Sequence, residues 1–291
     1  MRVILKKLLK KCRNAAALSL LYLANNLRII DQIISFKLQR LISVTHKSQT
    51  MQFAGANLLC IYRAKSFSIK EPDTLEWVEA IPEGSVVWDV GANIGLYSIY
   101  AAKHSGCKVF AFEPSVFNLE ILARNINANQ LEDLVTIVPL ALSDKVETNL
   151  FRMTSTNWGG ALSTFSKDVN QHGKEITTLF KYRTAGITMD TAISHLGIAQ
   201  PKFIKIDVDG IEHFVLKGGI EVLKNVESVL IEINTDFTEQ AERSSEYLTN
   251  AGFTLLRKRH MIGGQYNQWW IRKVEASNKQ PNVIFSNISG S

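Results

Sequence analysis

The segment Val86-Val87-Trp88-Asp89-Val90-Gly91-Ala92-Asn93-Ile94-Gly95 runs from an apolar stretch through an acid into a glycine-rich turn and on into helix-forming sequence. A strand that ends in a carboxylate and turns at once into a helix makes a cradle for a nucleoside-bearing ligand. The strand tip and the helix N-terminus then face one crevice. A second acid, Glu113, closes the next apolar run, Lys108-Val109-Phe110-Ala111-Phe112, 24 positions after Asp89. A carboxylate at that point can take two ribose hydroxyls. The two acids narrow the chain to a small-molecule transferase or an oxidoreductase.

The pattern around that cradle predicts an α/β fold. Strands are expected at 86–90, 108–112, 135–140, 203–207 and 228–233, with helices at 96–104 and 115–127 and another starting near Glu71-Pro72-Asp73-Thr74. Apolar runs of this length, separated by helices, belong to a mostly parallel sheet covered on both faces. The runs Phe253-Thr254-Leu255-Leu256 and Gln268-Trp269-Trp270-Ile271-Arg272 read as a closing pair that brings the sheet to seven strands with a C-terminal antiparallel strand. Residues 71–291 form the expected main domain. Residues 1–70 read as a basic helical extension, with helices over 1–45 and Leu58-Leu59-Cys60-Ile61-Tyr62 as one strand of a short hairpin. Between the third and fourth strands, residues 147–188 form a long insertion near the carboxyl ends of the strands, where open sheets bind ligands. It reads as an acceptor-covering lid or strand excursion.

Charge is divided along the chain. Residues 1–70 hold thirteen Lys or Arg and one acid, Asp31, a balance of +12, so the total of +6 leaves −6 for residues 71–291. A nucleic-acid enzyme would carry its positive field at the active-site mouth, which makes nucleic acid an unexpected substrate. Cys12, Cys60 and Cys107 lack paired or metal-like spacing and fit a reducing compartment. The apolar run from Ala15 to Ala24 is too short to span a bilayer and ends in no clear cleavage site. The basic front suggests contact of residues 1–45 with an anionic membrane face, packing on the chain's own domain, or a homodimer contact. The expected location is cytoplasmic, peripheral at the inner face of a membrane if the first alternative holds.

At the glycine turn, Asn93 stands where a dinucleotide fingerprint has its second glycine. Asparagine tolerates unusual backbone angles and adds an amide, which suits a ligand without pyrophosphate such as S-adenosylmethionine. Gly91 and Gly95 permit the turn, and Asp89 orients it and attracts the ligand's amino group. Glu113 faces the ribose, Ser115 borders the adenine, and Ser143 with Asp144 can reach the adenine amine, although Asp144 equally suits a turn cap.

With these residues the chain resembles the FkbM-type methyltransferase family, a branch of the class I S-adenosylmethionine enzymes with a Rossmann-like fold. The resemblance rests on Asp89 to Gly95, Phe112-Glu113-Pro114, Ala141-Leu142-Ser143-Asp144, Thr188-Met189-Asp190 and Ile204-Lys205-Ile206-Asp207-Val208-Asp209-Gly210-Ile211-Glu212. Asp209 stands where the family usually has glutamate. The resemblance implies O-methylation of a hydroxyl, with a sugar, glycan, glycolipid or secondary metabolite as acceptor, lipid-linked saccharides included.

The reacting end is expected at 207–213. Asp207 ends a buried strand, so its carboxylate should emerge beside the cofactor's methyl group. Asp207 or Asp209 then serves as base or orients the acceptor, His213 has the natural pKa for proton removal, and Glu212 suits bracing a loop. Asp207, Asp209 and Glu232 also offer hard oxygen ligands of the kind Mg2+ prefers. A nicotinamide-dependent oxidoreductase and a non-catalytic cofactor-binding scaffold remain the competing readings.

Overall fold

The computed structural model describes residues 40–261 and 263–273, together with Ser19 and Tyr22. The described body begins with a hairpin, β1 (Leu41–His46) and β2 (Gln49–Ala54), closed at Lys47 with φ 49°. Val44, Met51 and Phe53 face inward from it. Helix α1 (Leu58–Lys70) follows, capped by Asn57, whose Oδ1 accepts from Cys60 N at 2.7 Å. The hairpin is therefore built from residues 41–54, and residues 58–62 are helical. Residues 41–45 are strand where helix was expected, and the helices expected before residue 40 lie outside the described residues.

After α2 (Pro72–Glu79) the main sheet begins. Strands β3 (Val86–Val90), β4 (Lys108–Phe112) and β5 (Val135–Val138) run parallel, joined by helices α3 (Leu96–Ser105) and α4 (Val116–Asn129). The third strand is shorter than its apolar run. Pro139 has no N–H for the ladder, and Ala141–Leu142 departs as β6 into a second sheet. That sheet holds β7 (Glu147–Met153), β8 (Thr164–Phe165) and β9 (Phe180–Ile187) in the order β6-β9-β7-β8, so the insertion is a strand excursion.

The chain re-enters the main sheet after α5 (Met189–Leu196). Strand β10 (Phe203–Ile206) lies parallel to β3, and β11 (Ser228–Asn234) follows helices α6 (Glu212–Lys217) and α7 (Ile220–Leu223). Helix α8 (Thr238–Asn250) leads to β12 (Phe253–His260) and β13 (Gln265–Arg272). The seven-stranded order is β12-β13-β11-β10-β3-β4-β5, with β13 antiparallel to both neighbours. The order reverses between β3 and β10, which opens a crevice at their carboxyl ends.

Strand alternation divides the core in two. Val87, Val109 and Phe203 face one side, where Phe67 of α1, Trp77 of α2, Tyr100 of α3 and Leu122 of α4 cover them. Trp88, Phe112, Ile204 and Ile206 face the other, under Met189, Val215, Val222 and Leu248. Each fully buried side chain of this size contributes roughly 1.5–3 kcal/mol. Polar side chains taken into these layers tie elements together. Ser228 Oγ accepts from Trp77 Nε1 at 3.0 Å and from Trp269 Nε1 at 2.9 Å while donating to Trp270 O at 3.0 Å, tying α2 to the sheet. The hairpin is tied in similarly. Asn125 Oδ1 accepts from Ala54 N at 2.6 Å, and Asn129 exchanges two bonds with the backbone of Gln52. Among the described residues no helix is long and apolar enough to cross a membrane.

Candidate active site

A cavity of about 250 Å3 opens at the carboxyl ends of β3, β4 and β10. The turn after β3 shapes its floor. Gly91 has φ 85°, and a Cβ there would stand 1.9 Å from the carbonyl oxygen of Asp207, so the turn passes β10 with no room for a side chain. Gly91 N and Ala92 N both donate to Phe112 O at 3.0 Å. Asn93 follows at φ 52° and Gly95 at φ 82°.

Glu113 is stitched to this turn. Its Oε2 accepts from Asn93 N and its Oε1 from Ser115 N, both at 2.8 Å, and burial nevertheless pushes the carboxyl up to about 7. Two backbone bonds leave lone pairs for further donors. Ser115 caps α4 by accepting from Asn118 N at 3.4 Å and lines the cavity. Asp89 Oδ2 accepts from Ser98 Oγ at 2.6 Å. Asp89 Oδ1 and Asn93 Oδ1 are buried and make no hydrogen bond among the described residues. Burial raises Asp89 against the pull of Lys205.

Lys205 is a further charged group of the site. It sits within the apolar run of β10, in register with Asp89 of β3, and its Nζ donates to Asp207 Oδ2 at 2.9 Å and lies 5.4 Å from the Tyr97 ring centroid. Burial opposes the Lys205 charge, but Asp207, Asp89 and Glu71 reverse the balance and raise it. Burial opposes ionisation of Asp207 as well, and there the ammonium of Lys205 outweighs it and holds the carboxyl below its ordinary range. Asp209 has the reverse outcome. Burial first, then the charge of Asp207, pushes it up to about 6, although its Oδ2 accepts from Leu162 N at 2.6 Å and Ser163 N at 3.3 Å.

Those two bonds are part of a strap that lays the insertion over the cavity. Gly160 O accepts from Asn93 Nδ2 at 2.8 Å and Asn118 Nδ2 at 3.1 Å, while Gly159 N donates to Asn118 Oδ1 at 3.0 Å. From α1 and its cap, Arg63 Nε donates to Gly159 O at 2.7 Å and Asn57 Nδ2 to Trp158 O at 2.9 Å. Phe151, Ala161, Leu162 and Phe165 thereby line the cavity.

Of the residues expected at the site, Asp89, Gly91, Asn93, Glu113, Ser115, Asp207, Asp209 and Glu232 line the cavity. Gly95 shapes the turn behind it, where a Cβ would meet Leu122 Cδ1 at 2.4 Å. Ser143, Asp144, Glu212 and His213 are not in the lining. Ser143 N donates to Ile187 O at 2.8 Å, and Asp144 is paired with Lys217 at 2.8 Å. Glu212, pushed up to about 7 by burial, braces the 207–210 turn by accepting from Val208 N, Gly210 N and Gln240 Nε2. His213 packs against Phe214 and Phe237, with neither ring nitrogen hydrogen-bonded among the described residues, and burial lowers it to about 4. Both ring nitrogens of His213 are buried, and the residue lies outside the cavity lining.

The acids do not fit a divalent ion in this arrangement. Asp207 is bound to Lys205, Asp209 to two backbone N–H groups, and Glu232 Oε1 accepts from Gln265 Nε2 at 2.8 Å. Among the described residues no three His, Cys, Asp or Glu side chains come together as metal ligands would. The donor set does fit S-adenosylmethionine. Asp89 and Asn93, each with an oxygen that has no partner among the described residues, suit its ammonium group, and Glu113 suits its ribose hydroxyls.

Residues 89–255 match the family described as Methyltransferase FkbM domain. The chain is 27% identical over 158 residues to a hexuronic acid methyltransferase, AglP, of Haloferax volcanii, covering 54% of this chain and 59% of that protein. It is 29% identical over 158 residues to the 31-O-demethyl-FK506 methyltransferase FkbM of Streptomyces tacrolimicus, covering 46% of this chain and 59% of that protein. The crystal structure of methyltransferase FkbM from Methylobacillus flagellatus KT superposes with a TM-score of 0.46 at 15% identity, covering 66% of this chain and 44% of that one. The matched region thus spans less than two thirds of these relatives.

Proposed function

The chain belongs to the FkbM methyltransferase family, and on that premise we propose that it transfers the methyl group of S-adenosylmethionine to a hydroxyl oxygen of a sugar, glycan, glycolipid or related metabolite. The observation that carries this reading is the cavity at the β3, β4 and β10 tips, lined by Glu113, Asp89 and Asn93, the last two each with a buried oxygen that has no partner among the described residues. The relative named for hexuronic acid supports a saccharide acceptor, and a lipid-linked saccharide belongs to the same class.

When bound, S-adenosylmethionine supplies a methyl carbon made electrophilic by its sulfonium. Asp89 and Asn93 would accept from its ammonium, and Glu113 from its ribose hydroxyls. The acceptor oxygen would take the methyl group, the sulfonium leaving as a neutral thioether, and the acceptor hydroxyl would give up its proton. Asp209 receives that proton. Its pKa of about 6 leaves it ionised at neutral pH yet basic enough to work. Asp207, held ionised by Lys205, orients the acceptor. Apolar Phe151, Leu162 and Phe165 keep water from the cavity.

Calorimetry with S-adenosylmethionine and, separately, with NADH tests the cofactor. An acceptor panel read by release of S-adenosylhomocysteine tests the reaction. Binding of NADH alone would reverse the assignment to an oxidoreductase. Binding of S-adenosylmethionine without turnover on any hydroxyl acceptor would leave a scaffold.

A further inference from the structure

Helix α1 presents an apolar stripe to solvent. Leu58 is 84% exposed, Tyr62 59% and Ile69 78%, and Lys65 is exposed among them. At 100° per residue, positions 58, 62, 65 and 69 fall within about 60° of arc, so they form one face. Cys60, Ala64 and Phe67 on the opposite face are buried. Between the two faces, Arg63, Ser66 and Lys70 line the cavity. A 13-residue helix without an acid, whose exposed apolar stripe carries Lys65 within it, has the character of an interfacial helix.

We propose that the exposed face of α1 docks on an anionic lipid surface and holds the cavity beside it. Charge selects this occupant over two others. A second copy docked through the same face would bring a helix of the same sign, with cations and no acid, against this one. The chain's own first 40 residues carry nine Lys or Arg against one acid, the same sign as α1. That basic segment also enters the body at the right place. Gly55 N donates to Arg40 O at 2.8 Å, two residues before the α1 cap, so the segment joins beside the Leu58 end of the stripe. Cations thus flank the apolar face of α1, while residues 71–291 carry −6 and would be repelled from the same surface. A lipid layer against this face lies roughly one helix diameter, about 10 Å, from the cavity. The docking stands independently of the proposed reaction and is tested without it.

The test is sedimentation of the full-length protein with vesicles of phosphatidylcholine, with and without phosphatidylglycerol. The wild type should bind the anionic vesicles and release as salt rises. Leu58→Ser, Tyr62→Ser and Ile69→Ser combined should lower the partition coefficient by about tenfold or more. Lys65→Glu should lower it by about fivefold or more. Thermal melting monitors folding. Should the triple variant melt early, Lys65→Glu at an exposed position carries the test alone. Wild-type binding by the folded variants, or no binding by the wild type, overturns the proposal. A wild-type dimer that the triple variant dissociates, with no vesicle binding, assigns the face to a second copy and overturns it too.

Discussion

Asp207 and Asp209 stand two residues apart and titrate in opposite directions because Lys205 bonds the first while burial and the charge of Asp207 act on the second. A general base works in its ionised form, so turnover should rise with pH through about 6 and level off above. Asp209→Asn should remove that rising limb and cut kcat by roughly 10²–10⁴. Asp207→Asn should keep a limb but move it to lower pH, because the Asp207 charge helps raise Asp209, while raising KM for the acceptor. A limb unchanged in Asp209→Asn would move the base elsewhere. Lys205→Met tests the pair from the other side. Without the ammonium, burial raises Asp207, so a part of the pH profile should shift upward, and an unshifted profile would show that Lys205 only fills space. Glu113 governs the cofactor instead. It accepts hydrogen bonds best when ionised, so affinity for S-adenosylmethionine should rise with pH through about 7. Glu113→Gln should abolish that rise and weaken binding by about 10- to 100-fold, the worth of one hydrogen bond to a charged group at roughly 1.5–3 kcal/mol. Titration calorimetry at two pH values measures both.

At the level of elements, the insertion and the turn after β3 make separable predictions. Asn118 bonds both Gly159 N and Gly160 O, so Asn118→Ala should free the strap at a cost of roughly 1–3 kcal/mol. The readout is faster amide exchange at residues 159–163 with a raised KM, and unchanged exchange would show that Arg63 and Asn93 suffice. Gly91→Ala forces a Cβ against the Asp207 carbonyl, which should separate the β3 turn from β10 and abolish cofactor binding. Most of this architecture was legible in the sequence because strands buried on both faces must be apolar throughout, as Phe203 to Ile206 are. Helix α1 was misread because a five-residue apolar run such as Leu58 to Tyr62 suits strand or helix equally. Asn57 before it, and Arg63-Ala64-Lys65 after it, were the signals for a helix. With α1 read as strand, Arg63 and Lys70 had no route to the cavity. The acids at strand tips were legible because topology sends those tips to one crevice. His213 and Glu212 lie only a few residues further on, but they belong to α6, and spacing alone does not say which way a helix turns its side chains. Lys205 could have been found, since a lysine inside a buried apolar strand requires a charged partner.

For the molecule as a whole, buried titratable groups make stability depend on pH in two opposing ways. Glu113 and Glu212 at about 7 and Asp209 at about 6 hold protons in the folded state that the unfolded chain has already released. Between the ordinary carboxylate range and pH 7 the folded state binds more protons, so stability falls as pH rises through that window. His213 acts with the opposite sign. Unfolded, it takes a proton below about 6.5, but in its apolar box it remains neutral down to about 4. The unfolded state therefore binds the extra proton, and stability is lost as pH falls from 6.5 towards 4. Replacing His213 with leucine removes this loss together with two buried nitrogens that lack partners among the described residues. His213→Leu should raise the melting temperature more at pH 5 than at pH 8, the difference corresponding to about 1–2 kcal/mol. Turnover should change little, because His213 lies outside the cavity lining. An equal gain at both pH values would show that the imidazole is already solvated in the folded protein, and a loss of turnover with the fold intact would restore His213 to the catalytic site.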